Sequence, residues 1–326
     1  MMQRILILGA GFAGLWAAVG AARKLSQSNE SSDQIEVLVV NNRPFHSVRV
    51  RNYEQDLAPT RVPLADVLDP IGVKWLEGDI LGIDIDRREV EVRSGEGLQV
   101  IPYARLVVAL GSTLVHPNIP GLAAHSFDVD TIEGAEKLQQ HLLNLPSSAA
   151  GPGRYVAVVI GAGLTGVEIA SELPGRLASI APQAEDVRVI LMDRSKIIAE
   201  AMGEAQPVIE QAMAALRVAL KANAAVKQVT DKGIELADGE MIDAATVVWC
   251  GGMRANPLTE QLAVNRDELG RLPVDDCLRV QGLANVFAAG DCARLLVDGR
   301  PSVMSCQQSR PMGRYAGHNV VSDLLW

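Results

Sequence analysis

Cysteine is scarce, and its placement excludes one chemistry. The 326-residue chain has four cysteines, Cys250, Cys277, Cys292 and Cys306. No two form a C-x-x-C pair or a zinc-ligand spacing, so they read as free thiols in a reducing compartment. Aromatic residues are also few, at 4% of the chain. The core must then be built from Val, Ile, Leu and Ala, as doubly buried parallel strands prefer. Positive charge is in deficit, with 30 Lys and Arg against 39 Asp and Glu, a net charge of −9. Such a surface does not attract nucleic acid, and anionic lipid repels it on average. The five histidines show no metal-ligand spacing, so no metal site is expected. Long apolar runs are missing too, apart from the uncharged stretch Ile5 to Ala22. That stretch could pass for a signal peptide or a membrane span, but Gly9, Gly11 and Gly14 interrupt it. It reads instead as a short strand, a tight turn and a helix.

Glycine is where the information lies. Gly9-Ala10-Gly11-Phe12-Ala13-Gly14 and Gly161-Ala162-Gly163-Leu164-Thr165-Gly166 are two copies of one fingerprint, 152 residues apart. Asn41 and Asp193, which end the next apolar strand in each half, keep the same offset. One such motif is a weak signal. Two in register, each after an apolar strand and opening a helix, indicate two dinucleotide-binding units.

The rest of the chain supports duplication. Ile5–Leu8 and Ile35–Val40 read as parallel strands flanking a helix from Phe12 to about Leu25, one βαβ unit. Ser26 to Asp33 is a polar surface loop. A helix is expected after Pro63, up to Leu68. Val73–Ile85 and Val90–Ile101 form a small antiparallel meander, and Leu106–Leu110 returns as a buried strand to meet Gly111. The second half repeats the order. Val156–Ile160 is its first strand, and Val167–Ser179 its helix, with Pro174 expected to end it early. Val187–Met192 is the second strand, Pro207 to Ala222 a helical run, and 226–242 a second meander. Thr246–Cys250 then meets Gly251. A third piece adds a strand, Val286–Ala289, and a helix from Cys306 to about Leu325, broken or started at Pro311.

The expected fold is α/β with two Rossmann-like domains, each a parallel sheet with a small antiparallel meander. Their expected bounds are 1–113 plus 273–326, and 114–272. The Pro-, Gly- and Ser-rich stretch 144–153 reads as the clearest linker.

In each fingerprint the first glycine makes the tight turn, the second admits a pyrophosphate, and the third lets helix and strand pack. The helix N-terminus then offers its free N–H groups to the anion. Asp193 suits ribose hydroxyls and repels a 2′-phosphate, so the second site favours NAD(H), although Arg194 beside it could serve a 2′-phosphate. Asn41 can still bond a hydroxyl without the charge, or simply end its strand in a turn. Asp291, after Gly290 at a strand end, suits the hydroxyls of a flavin side chain. A helix starting near Cys306 would point its positive end at reduced flavin. His46 follows the second strand near the expected flavin. A surface or packing role fits it better than a chemical one.

The segments ILILGAGFAGL, LVVALGSTLVHPNIPG, VVIGAGLTGVEIASEL, VVWCGGMRANPL, VFAAGDCA and GRYAGHNVV together resemble the two-dinucleotide-binding-domain flavoproteins. Within them the chain is most similar to the type II NADH:quinone oxidoreductases, of pyridine nucleotide-disulfide oxidoreductase-like fold without the redox-active cysteine pair. The resemblance implies FAD on the first half and the C-terminal piece, held at Gly9, Gly11, Phe12, Ala13, Gly14, Asn41, Arg43, Ala109, Gly111, Gly290, Asp291 and Gln307. It implies NAD(H) on the second half, at Gly161, Gly163, Leu164, Thr165, Gly166, Asp193 and Gly251. Glu168 and Gln307 are the implied catalytic residues, although Glu168 could also be only a first-turn glutamate favoured by the helix dipole.

The implied activity is that of an FAD-dependent NAD(P)H dehydrogenase. Hydride passes from NADH to flavin, and two electrons then pass to a quinone or quinone-like acceptor. A cytoplasmic enzyme is implied, peripheral on the inner membrane face through a C-terminal extension that this sequence does not contain, and able to form a homodimer. Two departures touch the acceptor. Pro311 stands where the family pattern has a glutamine, and Arg310 is unexpected beside a neutral quinone. A reductase of a small iron–sulfur protein or of a specialised metabolite therefore stays open, as does a nucleotide-binding redox sensor. Disulfide reductases are excluded, because Asn41 to Pro63 contains no cysteine.

Overall fold

The computed structural model describes residues 2–28, 34–148 and 150–326. Most of the expected loop from Ser26 to Asp33 lies outside the described residues, as does position 149 of the stretch 144–153. The chain divides into two units, Met1–Val48 with Arg61–Thr113 and Met253–Trp326, and Arg49–Thr60 with Leu114–Gly252.

The first unit is built on a seven-stranded sheet. Its order is Val286–Ala288, Arg105–Val108, Gln3–Leu8, Ile35–Asn41, Lys74–Asp84, Glu89–Ser94 and Gly97–Pro102. The strands from Val286–Ala288 to Ile35–Asn41 run parallel. Ile5, Leu6, Ile7 and Leu8 are fully buried, which is why the sequence there is continuous in apolar residues. The expected meander is not a separate layer. Strand Lys74–Asp84 pairs parallel with Ile35–Asn41 through its first residues and antiparallel with Glu89–Ser94 through the rest. One long strand thus joins both parts.

Helices Phe12–Gln27 and Cys306–Leu325 pack side by side in this unit. A Cβ on Gly313 would lie 2.1 Å from the Ala13 carbonyl oxygen, and one on Gly317 would lie 1.9 Å from that of Ala17. Backbone therefore touches backbone, and the ascending register makes the helices parallel. Both start at the C-terminal edge of the sheet.

The second unit has a four-stranded parallel sheet, ordered Val218–Lys221, Arg188–Met192, Val156–Ile160 and Thr246–Trp249. An antiparallel meander, Val226–Thr230, Gly233–Leu236 and Met241–Asp243, accompanies it. Helix Leu164–Ala178 follows the first strand of this sheet.

Several expectations are corrected. Pro174 lies inside helix Leu164–Ala178, and Pro311 lies inside the unbroken helix Cys306–Leu325. Each proline removes one i→i−4 bond, at a cost of about 3 kcal/mol. Buried stripes offset that cost: Ile169, Ala170, Leu173 and Leu177 in one helix, Met312, Ala316, Val320 and Val321 in the other. The helical run from Pro207 ends at Ala215. Arg217 then takes a positive φ of 57° and turns the chain into strand Val218–Lys221, which pairs with Arg188–Met192. Residues 253–272 belong to the first unit rather than the second. There the Asn256 N–H donates to the Gly111 carbonyl, and Gln261 Oε1 accepts from the Ile83 N–H. Residues 49–60 move the other way, because Asn52 donates to the Val129 carbonyl and Arg176 to that of Tyr53. The stretch 144–153 lies within the second unit, after helix Ile132–Asn144 and before strand Val156–Ile160.

Candidate functional site

The two fingerprints fold into the same object. Gly9 has φ +94° and Gly161 φ +106°. Their N–H groups donate to the carbonyls of Val40 and Met192, each at 2.8 Å. A Cβ on Gly14 or on Gly166 would lie 1.8 Å from the carbonyl oxygen of Gly9 or Gly161 respectively. Only glycine permits that approach of helix to turn. At Gly11 and Gly163, by contrast, a Cβ would meet nothing within 4 Å. Those positions border open space in the folded protein.

The helices behind the turns begin without a cap. Gly11 and Gly163 are the N-cap residues, neither helix has a side-chain cap bond, and neither first turn contains an acid. The first intrahelical bonds run from Leu15 to Gly11 and from Val167 to Gly163. The amides of Phe12, Ala13 and Gly14, and of Leu164, Thr165 and Gly166, thus lack intrahelical acceptors. Two other long helices do carry a cap. Thr131 caps helix Ile132–Asn144 through Gly134 N–H, and Ser305 caps helix Cys306–Leu325 through Gln308 N–H. Uncapped amides, a positive helix end and room at the middle glycine fit a diphosphate.

Asn41 and Asp193 occupy matching places. Asn41 Oδ1 accepts from the Ala10 N–H at 2.9 Å, and Asp193 Oδ2 accepts from the Ala162 N–H at 2.8 Å. Both side chains therefore hold the turn as well as ending their strands. Asn41 Nδ2 is spent on the Arg43 carbonyl at 2.8 Å. Asp193 Oδ1 takes the Ser195 N–H at 2.8 Å. Burial pushes the Asp193 carboxyl up, but the Ala162 and Ser195 donors and the Arg194 charge more than offset this. It sits below the ordinary carboxylate value and stays ionised, with lone pairs left for hydroxyl donors.

In the first unit the remaining expected residues gather at the C-terminal ends of the parallel strands. Strand Gln3–Leu8 has Ile35–Asn41 on one side and Arg105–Val108 on the other, so its end is a topological switch point. Ala109 N–H donates to the Leu8 carbonyl at 3.0 Å, and Gly111 follows with φ +67°. Gly290 and Asp291 follow strand Val286–Ala288. Asp291 accepts from Ser112 Oγ at 2.7 Å and from Ser309 Oγ at 3.3 Å. The sequence reading missed both serines, although Ser112 directly follows Gly111. Arg43 and Gln307 are exposed, Gln307 in the first turn of its helix.

In the second unit Leu164 and Thr165 are exposed in the first helical turn, and Gly251 follows strand Thr246–Trp249. Glu168 stands in the second turn, not the first. Burial pushes its carboxyl above the ordinary value. Cys250 and Cys292 are free thiols that burial holds protonated, pushed up to about 12 and about 11.

A model of the pyridine nucleotide-disulphide oxidoreductase family matches residues 3–313. The chain belongs to that family. It is an oxidoreductase, with FAD and NAD(H) as its cofactors. It is 50% identical over 328 aligned residues to the NADH dehydrogenase-like protein MT1860 of Mycobacterium tuberculosis, covering 99% of this chain and 81% of that one. A type II NADH:quinone oxidoreductase of Staphylococcus aureus is 26% identical, over 98% of this chain and 82% of its own length. The fold is shared with the water-forming NADH oxidase of Lactobacillus brevis, at a TM-score of 0.78 and 20% identity. That match covers 98% of this chain and 69% of the oxidase. Among the described residues no helix is long and apolar enough to cross a membrane.

Proposed function

We propose that this enzyme oxidises NADH at the second unit, with FAD held by the first, and delivers the electron pair to a quinone-like acceptor. The observation that carries this reading is the pair of uncapped glycine turns, which share their backbone–backbone hydrogen bonds and the close contact of the last glycine with the first. Bound FAD supplies the chemistry of accepting a hydride and releasing two electrons. The chain supplies position and charge.

The amides of Phe12, Ala13 and Gly14 hold one diphosphate, and those of Leu164, Thr165 and Gly166 hold the other. Asp193 takes the adenosine ribose hydroxyls and disfavours a 2′-phosphate. Asp291, steadied by Ser112 and Ser309, takes hydroxyls of the flavin side chain. The start of helix Cys306–Leu325 favours negative charge on the reduced ring. Glu168 and Gln307 are the candidate catalytic side chains, a carboxyl raised by burial and an exposed amide. The Staphylococcus aureus relative's name supports quinone as acceptor. A quinone is lipid-soluble, so the enzyme would work at the cytoplasmic face of the cell membrane.

A second acceptor class has one observation in its favour. The Arg310 guanidinium lies over the Trp16 ring, 5.0 Å from its centroid. A fixed cation beside the start of that helix suits an anionic acceptor, such as the acidic surface of a small iron–sulfur protein. Anaerobic mixing with NADH tests the first half-reaction, and flavin absorbance should bleach within the turnover time. A stable yellow spectrum rejects NADH oxidation. Menadione, ferredoxin and ferricyanide, compared side by side, then decide the acceptor.

A further inference from the structure

The two glycine turns differ at one carbonyl. In the first, His46 Nδ1 lies 2.8 Å from the Ala10 oxygen. A carbonyl only accepts, so Nδ1 carries the proton. His46 is 5% exposed and sits in strand Phe45–Ser47, paired opposite Val62. The Phe12 ring meets it edge-on, with centroids 4.9 Å apart and planes at 86°. Asn41 takes the Ala10 N–H from the other side. Side chains therefore fix both peptide groups of Ala10. In the second turn Asp193 holds the Ala162 N–H, and among the described residues no side chain donates to the Ala162 carbonyl.

We propose that His46 is a positioning residue that locks the first glycine turn, so that this cradle keeps its dinucleotide resident while the second exchanges it. The inference rests on FAD occupying the first unit. The locked carbonyl fixes the peptide plane between Ala10 and Gly11, from which the chain enters the helix turn that carries the Phe12 and Ala13 amides. A preorganised cradle spends less ordering free energy on binding and releases its ligand more slowly. The second turn, held on one side only, keeps the freedom that a substrate dinucleotide needs to come and go.

The test uses the full chain with His46→Leu and His46→Asn. Asn places an amide N–H near the Nδ1 position, and Leu leaves the buried Ala10 oxygen unpaired. FAD affinity should fall about ten- to a hundredfold in His46→Leu and stay within about threefold of wild type in His46→Asn. NADH affinity, titrated by fluorescence, should be the same in all three proteins. Equal FAD affinity in wild type and His46→Leu, or an equal loss of NADH affinity, overturns the inference. If His46→Leu does not fold, ring ¹⁵N spectra of the wild-type holoprotein decide. A neutral Nδ1–H tautomer supports the lock, and an Nε2–H tautomer overturns it. Wild-type protein that takes up no FAD overturns the underlying reading instead.

Discussion

The middle and last glycines of one fingerprint should separate binding from folding. Gly163 has φ −75° and ψ −176°, which alanine also adopts, and its Cβ would meet nothing within 4 Å. As N-cap, alanine is poorer than glycine by about 0.5–1 kcal/mol. Alanine also narrows the unfolded chain, which returns about 0.4–1 kcal/mol. The two nearly cancel, so Gly163→Ala should leave the melting temperature of the apoprotein within about 2 °C of wild type. Its methyl fills the space where a diphosphate approaches the amides. NADH affinity should therefore fall at least about tenfold, by roughly 1.4 kcal/mol. Gly166→Ala should do the reverse. Its Cβ would sit 1.8 Å from the Gly161 oxygen, backbone that the 2.8 Å bond from Gly161 N–H to Met192 holds in place. Relief requires the helix to move off the strand, at a cost of about 1–3 kcal/mol or more. Thermal melts of both apoproteins and fluorescence titration with NADH make the measurement. Wild-type NADH affinity in Gly163→Ala, or equal destabilisation by both variants, refutes the reasoning.

Other outcomes follow from the same geometry. Asp193→Asn keeps an acceptor for the Ala162 N–H and removes the charge, so the ratio of NADPH to NADH activity should rise about tenfold; an unchanged ratio argues that Asp193 does not read the ribose. Stability should also depend on pH through two imidazoles, His46 buried and His141 half-buried. Burial lowers the pKa of His46 and of His141, with bonds to Ala10 and to Ala245 acting against it. The unfolded chain therefore takes up protons first. Stability should be level above about pH 6.5 and fall as pH drops from there toward the folded-state values; urea midpoints that stay constant down to about pH 5 would contradict this. Gln307→Ala should slow reoxidation by menadione while leaving the rate of bleaching by NADH unchanged; equal effects on both half-reactions argue against an acceptor role.

The sequence by itself determined the two strand–turn–helix units and their common plan. Gly9, Gly14, Gly161 and Gly166 are legible because their reason is local: a positive φ, or a Cβ that would collide with a carbonyl within the same motif. The continuous apolar strands are legible because burial on both faces erases alternation. Asn41 and Asp193 could be placed by spacing alone. Their second duty of holding the Ala10 and Ala162 amides could not, since those bonds join residues 31 positions apart.

Tertiary structure decided the rest, wherever a residue's partner is remote in the chain. Pro174 and Pro311 look like breaks until the stripes their helices bury are known. Residues 253–272 read as part of the second half, yet bonds to Gly111 and Ile83 bind them to the first. His46 looks like a loop residue, and its bond to the Ala10 carbonyl exists only because strand Phe45–Ser47 brings it back beneath the turn. Local stereochemistry is written in neighbouring letters; long-range hydrogen bonds and packed helix faces are written only in the folded chain.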